Sequence, residues 1–327
     1  MNSKKEEECM RAMAIEKWGL DQLKLMELPI PEPLAHEVQI KVAFAGINPL
    51  DLKACEGMLQ NLMPYQFPII LGCDAAGTIS KVGSSVTHLE VGDEVYACIR
   101  PPLLKEGTFA EYVCCDAQVA VRKPSKLSLA AAAAIPLPAL TAWQALIDIV
   151  KLKAGESILI QAGAGGVGGM AIQIARHLHA NIFTTARKAN LDYVKYLGAN
   201  YPIDYARQDF VEAIKTVVPD GVDVLFDCLG GEVLEAGLQA MKPGGRIVTL
   251  LTEVEKIKAE KYQVESFALI AEPNGDQLKA IGELFEKREF TPLPVEEFPL
   301  IKAKEALEKL RTAHVRGKII LRVIPIP

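Results

Sequence analysis

Residues 157–169 read Ser157-Ile-Leu-Ile-Gln-Ala-Gly-Ala-Gly-Gly-Val-Gly-Gly, and their reading decides the fold. A short apolar strand runs into a glycine-rich turn, and an apolar-faced helix continues toward His179. Gly163, Gly165 and Gly168 have the G-x-G-x-x-G spacing. In that pattern the first glycine makes a tight turn. The second lets backbone approach a pyrophosphate, and the third permits close packing of helix on strand. The helix start, Gly165, Gly166, Val167 and Gly168, then offers unpaired N–H groups and a positive dipole to an anion. The alternative is a tight turn with no ligand.

Working outward, the rhythm after about residue 128 is strand alternating with helix. Asn181-Ile-Phe-Thr-Thr precedes Leu191 to Leu197, Asp223-Val-Leu-Phe-Asp precedes Val233 to Met241, and Arg246-Ile-Val-Thr-Leu closes a further unit. Such alternation predicts parallel βαβ units in a doubly wound sheet. A sixth strand is expected at about Ser266 to Ile270, followed by a helix from Gly275 to Arg288. Before residue 128 the pattern differs. Alternating strands such as Val38-Gln-Ile-Lys-Val and Glu94-Val-Tyr-Ala-Cys are closely punctuated by Gly and Pro, which predicts an antiparallel β-rich lobe. The closing strand Lys318-Ile-Ile-Leu-Arg-Val returns to that earlier style. The chain is therefore read as α/β, with a discontinuous β-rich domain at 1–128 and 273–327 and a doubly wound domain at 129–272.

The end of the second strand bears on the choice of dinucleotide. A site for NAD usually carries Asp or Glu about 20 residues after the glycine loop, to bind ribose hydroxyls. Here the strand ends Thr184-Thr185-Ala186-Arg187-Lys188, with no acid before Asp192. Arg187 and Lys188 attract a 2′-phosphate that an acid would repel, so the expected cofactor is NADPH. The alternative is two basic residues on a solvated turn.

Composition narrows the function classes. The chain has 327 residues, half of them apolar, which is enough for two domains with cores of their own. No apolar run reaches the ~18 residues that span a bilayer. The alanine-rich tract Leu127 to Leu140 is broken by Pro136 and Pro138 and is read as buried protein. Met1 to Cys9 is dense in Lys and Glu, without the apolar core of a secretory signal. It is read as a frayed extension of a cytoplasmic protein. Seven scattered cysteines, with no CxxC pair, argue against a disulfide framework. A net charge of −5 without a basic stripe argues against nucleic acid.

Several motifs now stand in one order: Gly46-Ile-Asn-Pro-Leu-Asp-Leu-Lys, Leu71-Gly-Cys-Asp-Ala-Ala-Gly, Val91-Gly-Asp-Glu-Val, Gly107-Thr-Phe-Ala-Glu-Tyr-Val, Leu140-Thr-Ala-Trp, the glycine loop, and His314-Val-Arg-Gly-Lys-Ile-Ile-Leu. With them the chain resembles the medium-chain dehydrogenase/reductase superfamily from about Arg11 to Val323, and within it the zinc-free, zeta-crystallin-like quinone oxidoreductases. The resemblance implies a GroES-like catalytic domain with a Rossmann domain inserted, an active site in the cleft between domains, and a homodimer paired through the last Rossmann strand. It places the 2′-phosphate contacts on Arg187, Lys188 and Tyr205, and puts Leu250 and the Gly317-Lys318 stretch near the cofactor. Tyr205 can also be an ordinary strand-end tyrosine, and Lys318 a plain surface lysine.

Zinc members of that superfamily hold a catalytic metal with Cys, His and Cys. Asn48 stands at the first of these positions and Cys73 at the second, and no cysteine lies between Cys115 and Cys228. No metal is expected. Without one to polarise an alcohol, the expected reaction is hydride transfer from NADPH to a quinone or an α,β-unsaturated carbonyl. The resulting anion needs only a hydrogen-bond donor and a proton. The expected chemistry-bearing residues are Asn48, a donor to substrate carbonyl or nicotinamide ribose, and Asp51, orienting Asn48 or Lys53; the alternatives are an Asn48 that caps a turn before Pro49 and an Asp51 that is only a helix N-cap. Thr141 is placed near the nicotinamide end, and Tyr65 in the pocket wall or as a proton source. Cys73 reads as a buried thiol or a reactive one. The alternatives are a zinc-free alcohol or ketone dehydrogenase of this fold, and an NADPH-binding protein without catalysis.

Overall fold

The computed structural model describes residues 8–251 and 254–324. Most of the expected N-terminal extension, residues 1–7, lies outside them. The chain begins with β1 (Cys9–Ile15), β2 (Lys24–Pro29) and β3 (Glu37–Gly46), then α1 (Pro49–Cys55). Next come β4 (Ile69–Ile70), β5 (Asp74–Val82), β6 (Glu94–Cys98), β7 (Tyr112–Asp116) and β8 (Ala120–Arg122). The alanine-rich tract forms α2 (Leu129–Ala133) and α3 (Pro136–Trp143). Ser128 starts α2 by accepting the Ala131 N–H, and Pro136 fits the first helical position, where no N–H is needed.

Strands and helices then alternate: β9 (Ser157–Ile160), α4 (Gly166–His177), β10 (Asn181–Ala186), α5 (Leu191–Leu197), β11 (Tyr201–Asp204), α6 (Phe210–Val217), β12 (Val222–Asp227), α7 (Gly231–Gln239), β13 (Met241–Thr249), α8 (Lys256–Tyr262) and β14 (Glu265–Ala268). The chain closes with α9 (Gly275–Glu286), β15 (Val295–Pro299), α10 (Ala303–Arg311) and β16 (Lys318–Arg322). Met241, read above as a helix end, instead opens β13.

Two compact units result, Met1–Leu137 with Pro273–Arg288 and Pro294–Pro327, and Pro138–Glu272 with Glu289–Leu293. The first boundary thus falls inside α3 rather than at residue 128. The reason is packing, since α2 lies against β3, β5 and β6 of the first unit. The short return Glu289–Leu293 belongs to the second unit because Gln173, buried on α4, bonds both the N–H and the C=O of Thr291 at 2.6 and 3.1 Å.

In the first unit a sheet runs β15-β16-β3-β5-β6-β8, with β7 on β3, and a smaller one runs β2-β1-β4. Ile40, Ile79, Phe109 and Ile319 are fully buried in its core. In the second unit six parallel strands run β11-β10-β9-β12-β13-β14. Counted from β9, that is the order 3-2-1-4-5-6 of a doubly wound dinucleotide fold. The strands β9 and β12 are buried along almost every residue, as inner strands of a two-faced sheet must be.

Candidate functional site

In the second unit the glycine turn stands at the carboxyl end of β9, next to the strand-order switch, where open α/β sheets bind ligands. Its backbone is tied to β10. The Gly163 N–H donates to the Thr185 carbonyl at 3.1 Å, and the Ala162 N–H to Thr185 Oγ1 at 3.2 Å. The left-handed residue of the turn is Ala162, at φ 52°. Gly163 is required for another reason. A Cβ there would stand 2.0 Å from Thr184 Oγ1, a buried hydroxyl held by the Ile160 carbonyl at 2.7 Å. A Cβ on Gly168 would stand 2.4 Å from the Ala162 carbonyl oxygen, which is the close helix–strand approach the third glycine permits. Gly165 is the N-cap of α4, and a Cβ on it would meet nothing nearer than 3.4 Å. Gly165, Gly166 and Val167 are partly exposed, and the first N–H groups of a helix have no partners within it. This is a cradle open to an anion.

The parallel register of β10 and β11 pairs Ala186 with Asp204, so the next residues, Arg187 and Tyr205, come side by side. Arg187 Nε donates to Tyr205 Oη at 3.0 Å, and both side chains are exposed. Lys188, also exposed, opens the short turn Lys188–Asn190. Leu250 follows β13, half-buried, its N–H on the Asp227 carbonyl at 3.1 Å. Thr141 is buried in the second half of α3.

In the first unit the ends of three adjacent strands gather a polar cluster. Gly46 ends β3 opposite Asp74, the first residue of β5, and β16 starts with Lys318 on the other side. Gly317, at φ 71° with the Pro294 carbonyl 2.0 Å from where a Cβ would stand, turns the chain into β16. Asn48 opens α1 two residues past β3. Its Nδ2 donates to Asp74 Oδ2 at 2.9 Å and to Cys73 Sγ at 3.4 Å, and its Oδ1 accepts from Lys318 Nζ at 2.5 Å. Lys318 Nζ also donates to the Ile47 carbonyl and lies 3.9 Å from Asp74 Oδ2. Asp51 accepts the Asn48 backbone N–H at 2.6 Å, and Asp74 Oδ1 accepts the Leu137 N–H of α3 at 2.8 Å. All five side chains, Asn48, Asp51, Cys73, Asp74 and Lys318, are at most 5% exposed.

Burial dominates the electrostatics. It pushes the Asp51 carboxyl up to about 7 and Asp74 up to about 6, although Lys318 pulls both back. Burial lowers Lys318 against the pull of Asp74. The Cys73 thiol is raised well above its ordinary value, first by its bond to Cys98 and then by burial, so this is an inert thiol rather than a thiolate.

Lys318, expected near the cofactor or as a plain surface lysine, is buried, and its ammonium donates to Asn48 Oδ1 and the Ile47 carbonyl and lies 3.9 Å from Asp74 Oδ2. Asn48 has its carboxamide committed inside the cluster, with only the weak bond to sulfur to give up. Tyr65 is 42% exposed and stacks edge-on with Trp18 and Phe67 at 4.8 and 5.6 Å. These ring contacts are with aromatic neighbours and not with the Asn48 cluster. Asp51, expected to orient Asn48 or Lys53, meets Asn48 at its backbone N–H, a contact at the start of α1.

Comparison with known proteins gives the family. Residues 34–125 match the alcohol dehydrogenase GroES-like domain, and residues 197–321 the zinc-binding dehydrogenase family. An NADPH-dependent alkenal/one oxidoreductase of Arabidopsis thaliana is 34% identical over 316 residues, 94% of this chain and 78% of the relative. A 2-methylene-furan-3-one reductase of Solanum lycopersicum is 32% identical over 326 residues, 97% of this chain and 80% of the relative. The solved quinone oxidoreductase of Coxiella burnetii superposes with a TM-score of 0.87 at 34% identity, over 97% of this chain and all of that one. The chain belongs to the zinc-free quinone oxidoreductase branch of the medium-chain dehydrogenase/reductase superfamily.

The stretch matching the zinc-binding dehydrogenase family contains one cysteine, Cys228, and one histidine, His314. Among the described residues no group of three His, Cys, Asp or Glu is arranged to hold a metal. Two contributors escaped the sequence reading. Asp74 lies in the quoted Leu71-Gly-Cys-Asp motif, which was its only signal. Asp227, fully buried at the end of β12, accepts from Leu229 N, Gly230 N and Thr249 Oγ1 at 3.1, 2.9 and 2.7 Å. It shapes the loops after β12 and β13, and an acid at a strand end offers no pattern to find it by.

Proposed function

We propose that this oxidoreductase uses NADPH to reduce an electron-poor acceptor, a quinone or an α,β-unsaturated carbonyl. The observation that carries the cofactor reading is the hydrogen-bonded pair Arg187–Tyr205 at the ends of β10 and β11, in the same unit as the open glycine cradle. The acceptor class is supported by the relatives, two named for alkenals, enones or a methylene furanone and one for quinones. NADPH, when bound, supplies a hydride to carbon of the acceptor. The chain's part is to hold the pyrophosphate on the N-terminus of α4 and the 2′-phosphate on Arg187, Lys188 and Tyr205. Asn48 supplies a donor for the oxygen that becomes anionic, giving up its bond to Cys73 Sγ. Solvent delivers the proton. Thr141 and Leu250 are assigned to the nicotinamide end of the cofactor.

The reading includes a homodimer through β14. This edge strand presents Phe267, and Ile270 just beyond it is 71% exposed. An uncovered apolar edge invites strand pairing. It also includes a reducing compartment such as the cytosol, supported by seven free cysteines. No helix of the described residues is long and apolar enough to cross a membrane.

The test is titration with NADPH and NADH, followed by oxidation of NADPH with a panel of quinones and enones in the presence of a strong chelator. Tight binding of NADPH with chelator-insensitive turnover of one acceptor class supports the reading and names the substrate. Binding without turnover of any acceptor overturns it in favour of a non-catalytic NADPH-binding protein.

A further inference from the structure

We infer that Lys318 and Asp74 are positioning residues, a buried pair that fixes which way the carboxamide of Asn48 faces. The inference rests on the reading of Asn48 as the donor to the acceptor oxygen. A carboxamide has two orientations of nearly equal shape, and its partners decide between them. Lys318 can only donate, so the atom facing it must be Oδ1, at 2.5 Å. Ionised Asp74 can only accept, so the atom facing it must be Nδ2, at 2.9 Å. A flipped amide would set NH2 against ammonium and oxygen against carboxylate. Its site is at most 5% exposed, so no water shell would relieve either clash.

The consequence is directional. With one N–H on Asp74, the second N–H must point along the remaining direction, where it now meets Cys73 Sγ at 3.4 Å. Sulfur is a weak acceptor, so the bond given up to a carbonyl or quinone oxygen is a weak one, and the buried Cys73 side chain has to turn aside to admit that oxygen. The pair thus aims one N–H of Asn48, while neither Lys318 nor Asp74 has to touch the acceptor. Asp74 also takes the Leu137 N–H with its other oxygen, which fixes its own carboxylate plane. The long-range nature of the device is notable, since Lys318 reaches Asn48 across 270 positions of chain.

The experiment compares wild type with Lys318→Met, Lys318→Arg, Asp74→Asn and the double variant Asp74→Asn/Lys318→Met. Readouts are kcat at saturating acceptor, the NADPH dissociation constant, and hydrogen exchange of the segment covering Asn48 to Cys55. Each neutralising single variant is expected to lower kcat at least tenfold while NADPH affinity stays within twofold. The double variant should lose no more than the worse single, because the pair acts as one unit. Exchange at the start of α1 should speed up at least fivefold in the singles. Should Lys318→Met fail to fold, Lys318→Arg and Asp74→Asn carry the same comparison, with the arginine variant the milder. NADPH affinity falling more than tenfold in the Lys318 variants would mean a cofactor contact and overturn the inference. So would losses that multiply in the double variant, or an unchanged kcat. If wild type turns over no acceptor, the proposed function fails, and unchanged exchange in the singles separately defeats the positioning role.

Discussion

Replacing Arg187 by alanine should convert a preference for NADPH into near indifference. The magnitude follows from the side chain's surroundings. Arg187 is exposed, so its attraction to a phosphate at about 4 Å sits near the ~1 kcal/mol of the aqueous limit rather than the ~4 kcal/mol of a half-shielded pair. Its Nε is already held by Tyr205 Oη at 3.0 Å, so the terminal nitrogens remain as the donors aimed outward. Charged hydrogen bonds of that kind contribute about 1.5–3 kcal/mol. Removal should therefore weaken NADPH about 10- to 150-fold and NADH less than threefold. Tyr205→Phe removes both the tether that pre-orients the guanidinium and the hydroxyl assigned to the phosphate, and should cost NADPH at least about two- to fivefold, the ~0.5–1 kcal/mol of a single neutral bond. Cofactor fluorescence titration of the three proteins with both nucleotides gives all the constants. Equal weakening of NADPH and NADH by Arg187→Ala would refute the reasoning, because the residue would then be acting on the shared part of the cofactor or on the fold.

Other consequences are equally accessible. Gly163→Ala puts a methyl 2.0 Å from Thr184 Oγ1, a hydroxyl fixed by Ile160. It should destabilise the protein by about 1–3 kcal/mol, as core overpacking does; an unchanged urea midpoint would show that the turn relaxes freely. Asp51 and Asp74 stand at about 7 and about 6, above the unfolded carboxylate near 3.9. Between about pH 4 and 7 the folded state then binds more protons, so the contribution of this cluster to stability falls as pH rises through that window. Lys318, lowered, acts oppositely at higher pH, below its unfolded value. Asp51→Asn should accordingly gain on wild type in urea unfolding as pH goes from 4 to 7, and parallel slopes would contradict the role of burial. Charging the edge with Phe267→Lys and Ile270→Lys should yield folded monomer where wild type sediments at twice 35.6 kDa; a monomeric wild type would end the β14 proposal.

The doubly wound unit and its cradle were legible in the chain because their determinants are local. The glycine spacing, the apolar strand before it, the helix after it and the missing acid beyond β10 all lie within about thirty residues of one another. Even there, tertiary contacts supplied the reason for one glycine: Gly163 is kept small by Thr184, a neighbour from the next strand, while Ala162 takes the left-handed conformation. The resemblance named Arg187 and Tyr205 each as a phosphate contact, and the β10–β11 register is the physical reason they stand side by side. The first unit was far less legible. Nothing near Lys318 in the chain says that it is buried, and nothing near Asp74 says that it faces an ammonium. Those facts follow from β16 and β5 flanking the end of β3. Local sequence sets strand, turn and helix through periodicity and backbone preference. Only the sheet's long-range pairing decides which polar side chains leave water together, and so which of them must satisfy one another.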